Sequence, residues 1–265
     1  MLRSMYAGIS GMKGFQTKLD VVGNNIANVN TPGFKKGRVT FQDLLSQTTS
    51  GASGPTDDRG GINPKQVGLG SQLGSIDNIH TQGFRQTTDN PLDLQLEGDG
   101  MFVLGNRDGG EHMYTRAGNF YLDDEGHVVN ANGYYLLGTD EEPIEIPADA
   151  KSINIEQDGT ITYVGEDNDT HDAGQIGIAL FSNPGGLEKA GDSVYLDTNN
   201  AGYIDIVAPE TEGAATIVSG ALEMSNVDLS EEFTEMITAQ RGFQANTRII
   251  TTSDEILQEL VNLKR

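Results

Sequence analysis

The stretch VVGNNIANVNTPGFKK (residues 21–36) closes an amphipathic helix with four asparagines inside seven residues: Asn24, Asn25, Asn28 and Asn30. Asparagine competes with the backbone for hydrogen bonds and lowers helix propensity, so such clustering needs a reason. Upstream of it, Leu2, Met5, Ile9, Met12, Leu19 and Ile26 recur with the spacing of a heptad seam, interrupted by Gln16 and Gly23. Thr31-Pro32-Gly33 then stops the helix. Asn24 and Asn25 stand four and three residues before Asn28, which makes one polar edge beside Ile26. A buried amide in a helix seam fixes register, because a misaligned neighbour leaves it unpaired. The pattern therefore predicts that Asn24, Asn25 and Asn28 key one copy of the chain onto the next, with Asn30 serving the turn. A frayed helix end is the plainer alternative.

The other end of the chain repeats the design. Asp228 and Ser230 are rival caps for a helix in which Met236, Phe243, Ile250 and Leu257 recur every seven residues. The companion positions Phe233, Gln240, Thr247, Asp254 and Val261 are mostly polar, and Gly242 with the run IITTSD (249–254) weakens helix propensity. Alone, such a helix is marginal and needs packing partners.

Between these ends the period changes to two. LDLQLEGDGMFVLGN (92–106), MYTRAGNFYLDDEGHVVNANGYYLLG (113–138), SINIEQDGTITYVG (152–165) and GQIGIALFSN (174–183) read as strands joined at Gly-containing turns. Residues 45–75 are rich in Gly, Ser and Thr and read as extended or loosely ordered. The expected fold is α+β. An N-terminal assembly helix (1–30) leads to an irregular extended arm (31–90) and a β-rich domain (91–210). A return segment (211–227) and a C-terminal assembly helix (228–265) follow, the two helices pairing as a coiled coil.

Templates for chemistry fail in turn. There is no phosphate loop of the Gly-x-x-x-x-Gly-Lys type and no Gly-x-Ser-x-Gly elbow. GLGSQLG (68–74) misses the dinucleotide spacing. The histidines at 80, 112, 127 and 171 lack metal-ligand spacing, and EDNDTHD (166–172) lacks the glycine and glutamate of a calcium loop. Asp123, Asp124 and Glu125 form a plain acidic turn. No catalytic group, cofactor or metal is expected. Arg116, in YTRAGNF, has two readings: it ties a turn through backbone carbonyls, or it reaches a neighbouring subunit.

Charge sharpens this outline. Residues 1–38 carry six Lys/Arg against one acidic residue, residues 228–265 four against seven, and the middle seven against thirty-one. The acidic middle repels nucleic acid and anionic membrane surfaces, while the ends suit pairing with one another. No apolar run is long enough to span a membrane, the N-terminus lacks the pattern of a cleaved signal, and there is no cysteine for disulfides.

VVGNNIANVNTPGFKK resembles the N-terminal signature of the bacterial flagellar axial proteins, which build rod, hook and hook-associated segments. SNVDLSEEFTEMITAQRGFQANTRIITTSDEIL (225–257) resembles the matching C-terminal end and YTRAGNF a central motif, so the likeness covers essentially the whole chain. The resemblance implies a structural subunit that polymerises helically into a torque-transmitting tube, is exported by the type III apparatus and meets adjacent rod, hook, junction and cap proteins. Rod and hook both remain open. The assembly residues expected are Leu2, Met5, Ile9, Met12, Asn24, Asn25, Asn28, Phe34, Phe233, Met236, Phe243, Ile250 and Leu257, with Arg116 beside them. The competing reading is a monomeric secreted β-rich adhesin or surface hydrolase whose helices fold back on it.

Overall fold

The computed structural model describes residues 2–55, 59–106, 112–147, 150–165, 167–211 and 213–263. The side chain of Leu2, and Glu166 of the acidic turn, lie outside the described residues. Contacts divide the chain into two units. One gathers Met1–Ala27, Gly37–Asp77 and Asp228–Arg265; the other gathers Asn28–Lys36 and Asn78–Val227. Residues 31–36 and 78–90, expected in the arm, thus group with the β-rich unit.

In the first unit, helix α1 (Leu2–Ala27) lies against helix α2 (Leu229–Asn262). Asp228 caps α2, its carboxylate accepting from the Ser230 N–H at 2.8 Å, so of the two rival caps Asp228 serves. The helices run antiparallel: Gly8 meets Ile250, Gly11 meets Asn246, Phe15 meets Gly242, Lys18 pairs with Glu235, and Asn25 reaches Glu232. The facing column on α1 is therefore Gly8, Gly11, Phe15, Lys18, Val22 and Asn25. On α2, Glu232, Ala239 and Ser253 are buried, while Met236, Phe243, Asn246, Ile250 and Leu257 are half-buried.

This column is the expected seam turned by one residue. Met5, Ile9, Met12, Leu19 and Ile26 are only half-buried and flank it, whereas Phe233, Gln240, Thr247, Asp254 and Val261 face solvent. The cause is backbone proximity. A Cβ at Gly11 would stand 2.9 Å from Asn246 Nδ2, and one at Gly242 would stand 2.6 Å from the Phe15 ring. Small residues let the axes approach, so the closest line of contact is small and polar rather than apolar.

After α1, strand Gly37–Asp43 pairs with Ser71–Asn78, and the hairpin Ser46–Ser50 with Lys65–Gly68 extends the arm. Phe41 anchors it to α1, its ring 6.2 Å from that of Phe15. The outer hairpin is solvent-exposed along both strands.

The second unit is all β apart from one short 3-10 turn among the described residues. Its nine-stranded sheet is built around Met101–Gly105, which pairs with Met113–Thr115, Tyr135–Leu136 and Ile178–Phe181. A three-stranded meander, Ser152–Ile155, Thr160–Val164 and Thr170–Gln175, turns at Asp158-Gly159, where Gly159 adopts φ +79°. The return segment supplies Thr216–Ser219 against Leu94–Glu97 and Ala221–Glu223 against Arg85–Thr87. Phe102, Leu104, Phe120, Leu136, Ile146, Ile176 and Ile178 form the main core, with Phe102 and Phe120 edge to face at 5.3 Å.

Candidate assembly faces and a buried ion cluster

On α2, large apolar groups stand exposed beside the buried line of contact with α1. Ile249, Ile256, Leu260 and Leu263 fall at i, i+7, i+11 and i+14 and share one face, and Phe233 with Ile237 forms a second patch near the helix start. All six are exposed. Exposed apolar stripes of this kind are uncommon on single-chain proteins and make this a candidate contact surface. Sequence periodicity found Phe233 but passed over Ile237, Ile249, Ile256 and Leu260, because they alternate with Thr, Arg and Glu outside the apolar seam.

The asparagines divide in role. Asn25, expected on a docking edge, is 1% exposed. Its Nδ2 donates to the Gly37 carbonyl at 2.9 Å and to Glu232 Oε2 at 3.1 Å, while its Oδ1 accepts from the Gly37 N–H at 3.0 Å. It fixes register within one chain, tying the end of α1 to the first arm strand and to α2. Asn28 Oδ1 accepts from the Thr31 hydroxyl at 3.1 Å and shapes the turn. Asn24 is exposed.

The motif TPGFKK (31–36) folds into the β-rich unit. Gly33, at φ +69°, lies so close to Arg116 and Ala117 that any Cβ would overlap their backbone. Phe34 sits under Lys189, whose Nζ is 4.9 Å from the ring centre and donates to the Lys35 carbonyl. Lys35 is fully buried: its Nζ lies 2.6 Å from Glu223 Oε1 and donates to the Thr81 carbonyl at 2.8 Å. Glu223 Oε1 also accepts from the Gly83 N–H at 2.9 Å, and Glu223 Oε2 faces Arg116 Nη1 at 3.4 Å. Asn226 completes the site, accepting from the Lys36 N–H and donating to the Ile79 carbonyl, both at 2.8 Å.

Arg116, expected as a possible subunit contact, is 5% exposed and donates to the carbonyls of Leu96 and Gly98. Its guanidinium is used inside the unit, which corrects that expectation and matches the alternative of an arginine tying a turn. Two cations thus surround one carboxylate. Burial pulls the Lys35 and Arg116 pKa values down, against the raising effect of Glu223. Burial, reinforced by Lys35, Lys189 and Arg116, also lowers His80 to about 4. Neither ring nitrogen of His80 has a hydrogen-bond partner among the described residues. No sequence pattern announces this cluster, because Lys35 and Glu223 are 188 residues apart.

Among the described residues no group of three or more His, Cys, Asp or Glu is placed to hold a metal ion, and no helix is long and apolar enough to cross a membrane.

Comparison with known proteins places these features in context. Residues 5–35 match the model of the flagella basal body rod protein, 95–163 that of the flagellar hook protein FlgE/F/G D1 domain, and 218–263 that of the flagellar basal body rod FlgEFG protein C-terminal region. The chain is 56% identical to the flagellar basal-body rod protein FlgG of Bacillus subtilis, over the whole of both chains. It is 38% identical to the FlgG of Caulobacter vibrioides, across 99% of this chain and all of that one. It is 33% identical to the flagellar hook protein FlgE of Borreliella burgdorferi, again over the whole of both, but in an alignment stretched to 443 positions.

Proposed function

The chain belongs to the family of flagellar basal-body rod and hook proteins, and from that premise we propose that it builds the rod, copy upon copy, in a helical tube. It is a structural subunit of the flagellum and not an enzyme. The reading as rod rather than hook rests on length: 265 residues align end to end with rod relatives, whereas the Borreliella hook alignment must open to 443 positions.

The observation that carries the assembly reading is the pair of apolar patches on α2, Phe233 with Ile237 and Ile249 with Ile256 and Leu260, left exposed by one chain alone. The antiparallel α1–α2 contact acts as the coiled-coil-like stem of each subunit, and these patches take the stems of neighbouring copies. Of the residues expected from sequence, Met236, Phe243, Ile250 and Leu257 serve first within the stem. Phe233, Ile9 and Met12 serve between copies. Heterologous contacts of this kind propagate an open helix and suit torque transmission. Export through the flagellar type III apparatus, and contact with a cap and with junction proteins, complete the proposal.

Electron microscopy of cells lacking the gene tests it. A truncated rod inside the envelope is the expected result. A complete rod without a hook would assign the chain to the hook instead, and normal flagella would overturn the axial reading.

A further inference from the structure

The carboxylate of Glu223 is in direct contact with two cations drawn from distant parts of the chain, Lys35 and Arg116. Lys35 and Glu223 are sealed from solvent and Arg116 nearly so. A charge buried without its partner is strongly disfavoured. The strand that carries Glu223, Ala221–Glu223, closes on Arg85–Thr87, and the strand before it closes on Leu94–Glu97, bringing Ala214, Ala215 and Ile217 into the main core. The carbonyls that the two cationic side chains use besides Glu223, those of Thr81, Leu96 and Gly98, are all present by residue 116.

We propose that Glu223 is a completion latch: the β-rich unit cannot close around Lys35 and Arg116 until the return segment 214–227 arrives, so closure is the last step of its folding. Contacts separated by 188 residues cost chain entropy before they return anything, which sets them late on geometric grounds too. A chain delivered from its N-terminus therefore keeps the TPGFKK motif and the sheet edges at Arg85–Thr87 and Leu94–Glu97 open until nearly all of it is available.

Refolding and unfolding rates of the full chain test the latch. Tyrosine emission reports on this unit, since every tyrosine except Tyr6 lies in it. Glu223→Gln keeps the shape and an acceptor for Gly83 but removes the charge. If the latch closes late, E223Q speeds unfolding about tenfold or more and changes refolding less than about twofold, because a contact absent from the transition state affects only the unfolding limb. Lys35→Met added to E223Q then slows unfolding again, having removed one of the two stranded cations. Should E223Q alone fail to fold, recovery of folding in K35M/E223Q carries the same conclusion. Refolding slowed in proportion to the lost stability would place the contact early and overturn the latch. Native rates in both directions, or a double variant no better than E223Q, would overturn it as well.

Discussion

In the β-rich unit Phe102, Leu104, Leu136, Ile146 and Ile178 are sealed from solvent, whereas along α2 Phe233, Ile237, Ile249, Ile256 and Leu260 each keep between 44% and 51% of their surface exposed. The same chain thus closes one hydrophobic surface and leaves the other open. The closed unit even buries charge, holding Lys35 and Arg116 on Glu223. The helical unit does the reverse: it places glycine, alanine, serine and asparagine on the line where α1 meets α2, and turns large aliphatic groups outward. A core that is complete in one copy belongs to a folded module. The surface left half-covered is the one that, in the proposed assembly, other copies would bury.

Substitutions separate the two designs, and the largest effect falls on the closed core. Phe102→Ala removes a fully buried ring and is expected to cost about 3–5 kcal/mol. Chemical denaturation followed by tyrosine emission will show the loss, while the helical signal of α1 and α2 holds. In the stem, Gly242→Leu drives a side chain into the Phe15 ring. Overpacking of this kind costs about 1–3 kcal/mol, and thermal melting at 222 nm will register it with the tyrosine transition unmoved.

Acid probes the closed unit from within. His80 is held at about 4, below its unfolded value, so the unfolded chain binds the proton more readily. Its contribution favours folding above the unfolded pKa and is lost as pH falls toward 4. After allowance for the ring's partial exposure this amounts to roughly 1 kcal/mol. The acid-dependent loss of stability should shrink by that amount in His80→Leu relative to the native chain, measured as denaturation midpoints at pH 7 and pH 4. The smallest effect belongs to the half-exposed pair of Lys18 and Glu235, 3.2 Å apart. Lys18→Met should change stability by less than about 0.5 kcal/mol, within what surface pairs return.

The two regions also differed in how much their sequence disclosed. Alternation marked the strands, and Asp158-Gly159 and Asp124-Glu125-Gly126 marked their turns, since period two and turn chemistry are local. The heptad Met236, Phe243, Ile250, Leu257 marked α2 correctly. Its companion column was misplaced by one residue because Glu232, Ala239, Asn246 and Ser253 carry no apolar signal, although the small residues Gly8, Gly11 and Gly242 hinted at close backbone approach. Asn25 could be read as a register device from its position, but its partners Gly37 and Glu232 become visible only once α2 and the arm are in place. The ion cluster was hidden altogether: a lysine in a basic run and a glutamate near the far end are ordinary surface residues until a fold brings them together.

Replacing the chain in cells by the double variant Ile249→Asp, Ile256→Asp and imaging isolated basal bodies tests the open face most directly. Both residues are about half exposed and neither supports the β-rich core; Ile249 touches α1 only through its Cγ2 beside Gly8, so the variant should fold with its tyrosine transition unmoved. The account predicts truncated rods and lost swimming although the purified variant still folds, its β-rich unit melting as in the native chain. Full-length rods on these cells would contradict it, and would mean that the exposed stripe of α2 is not where one copy meets the next.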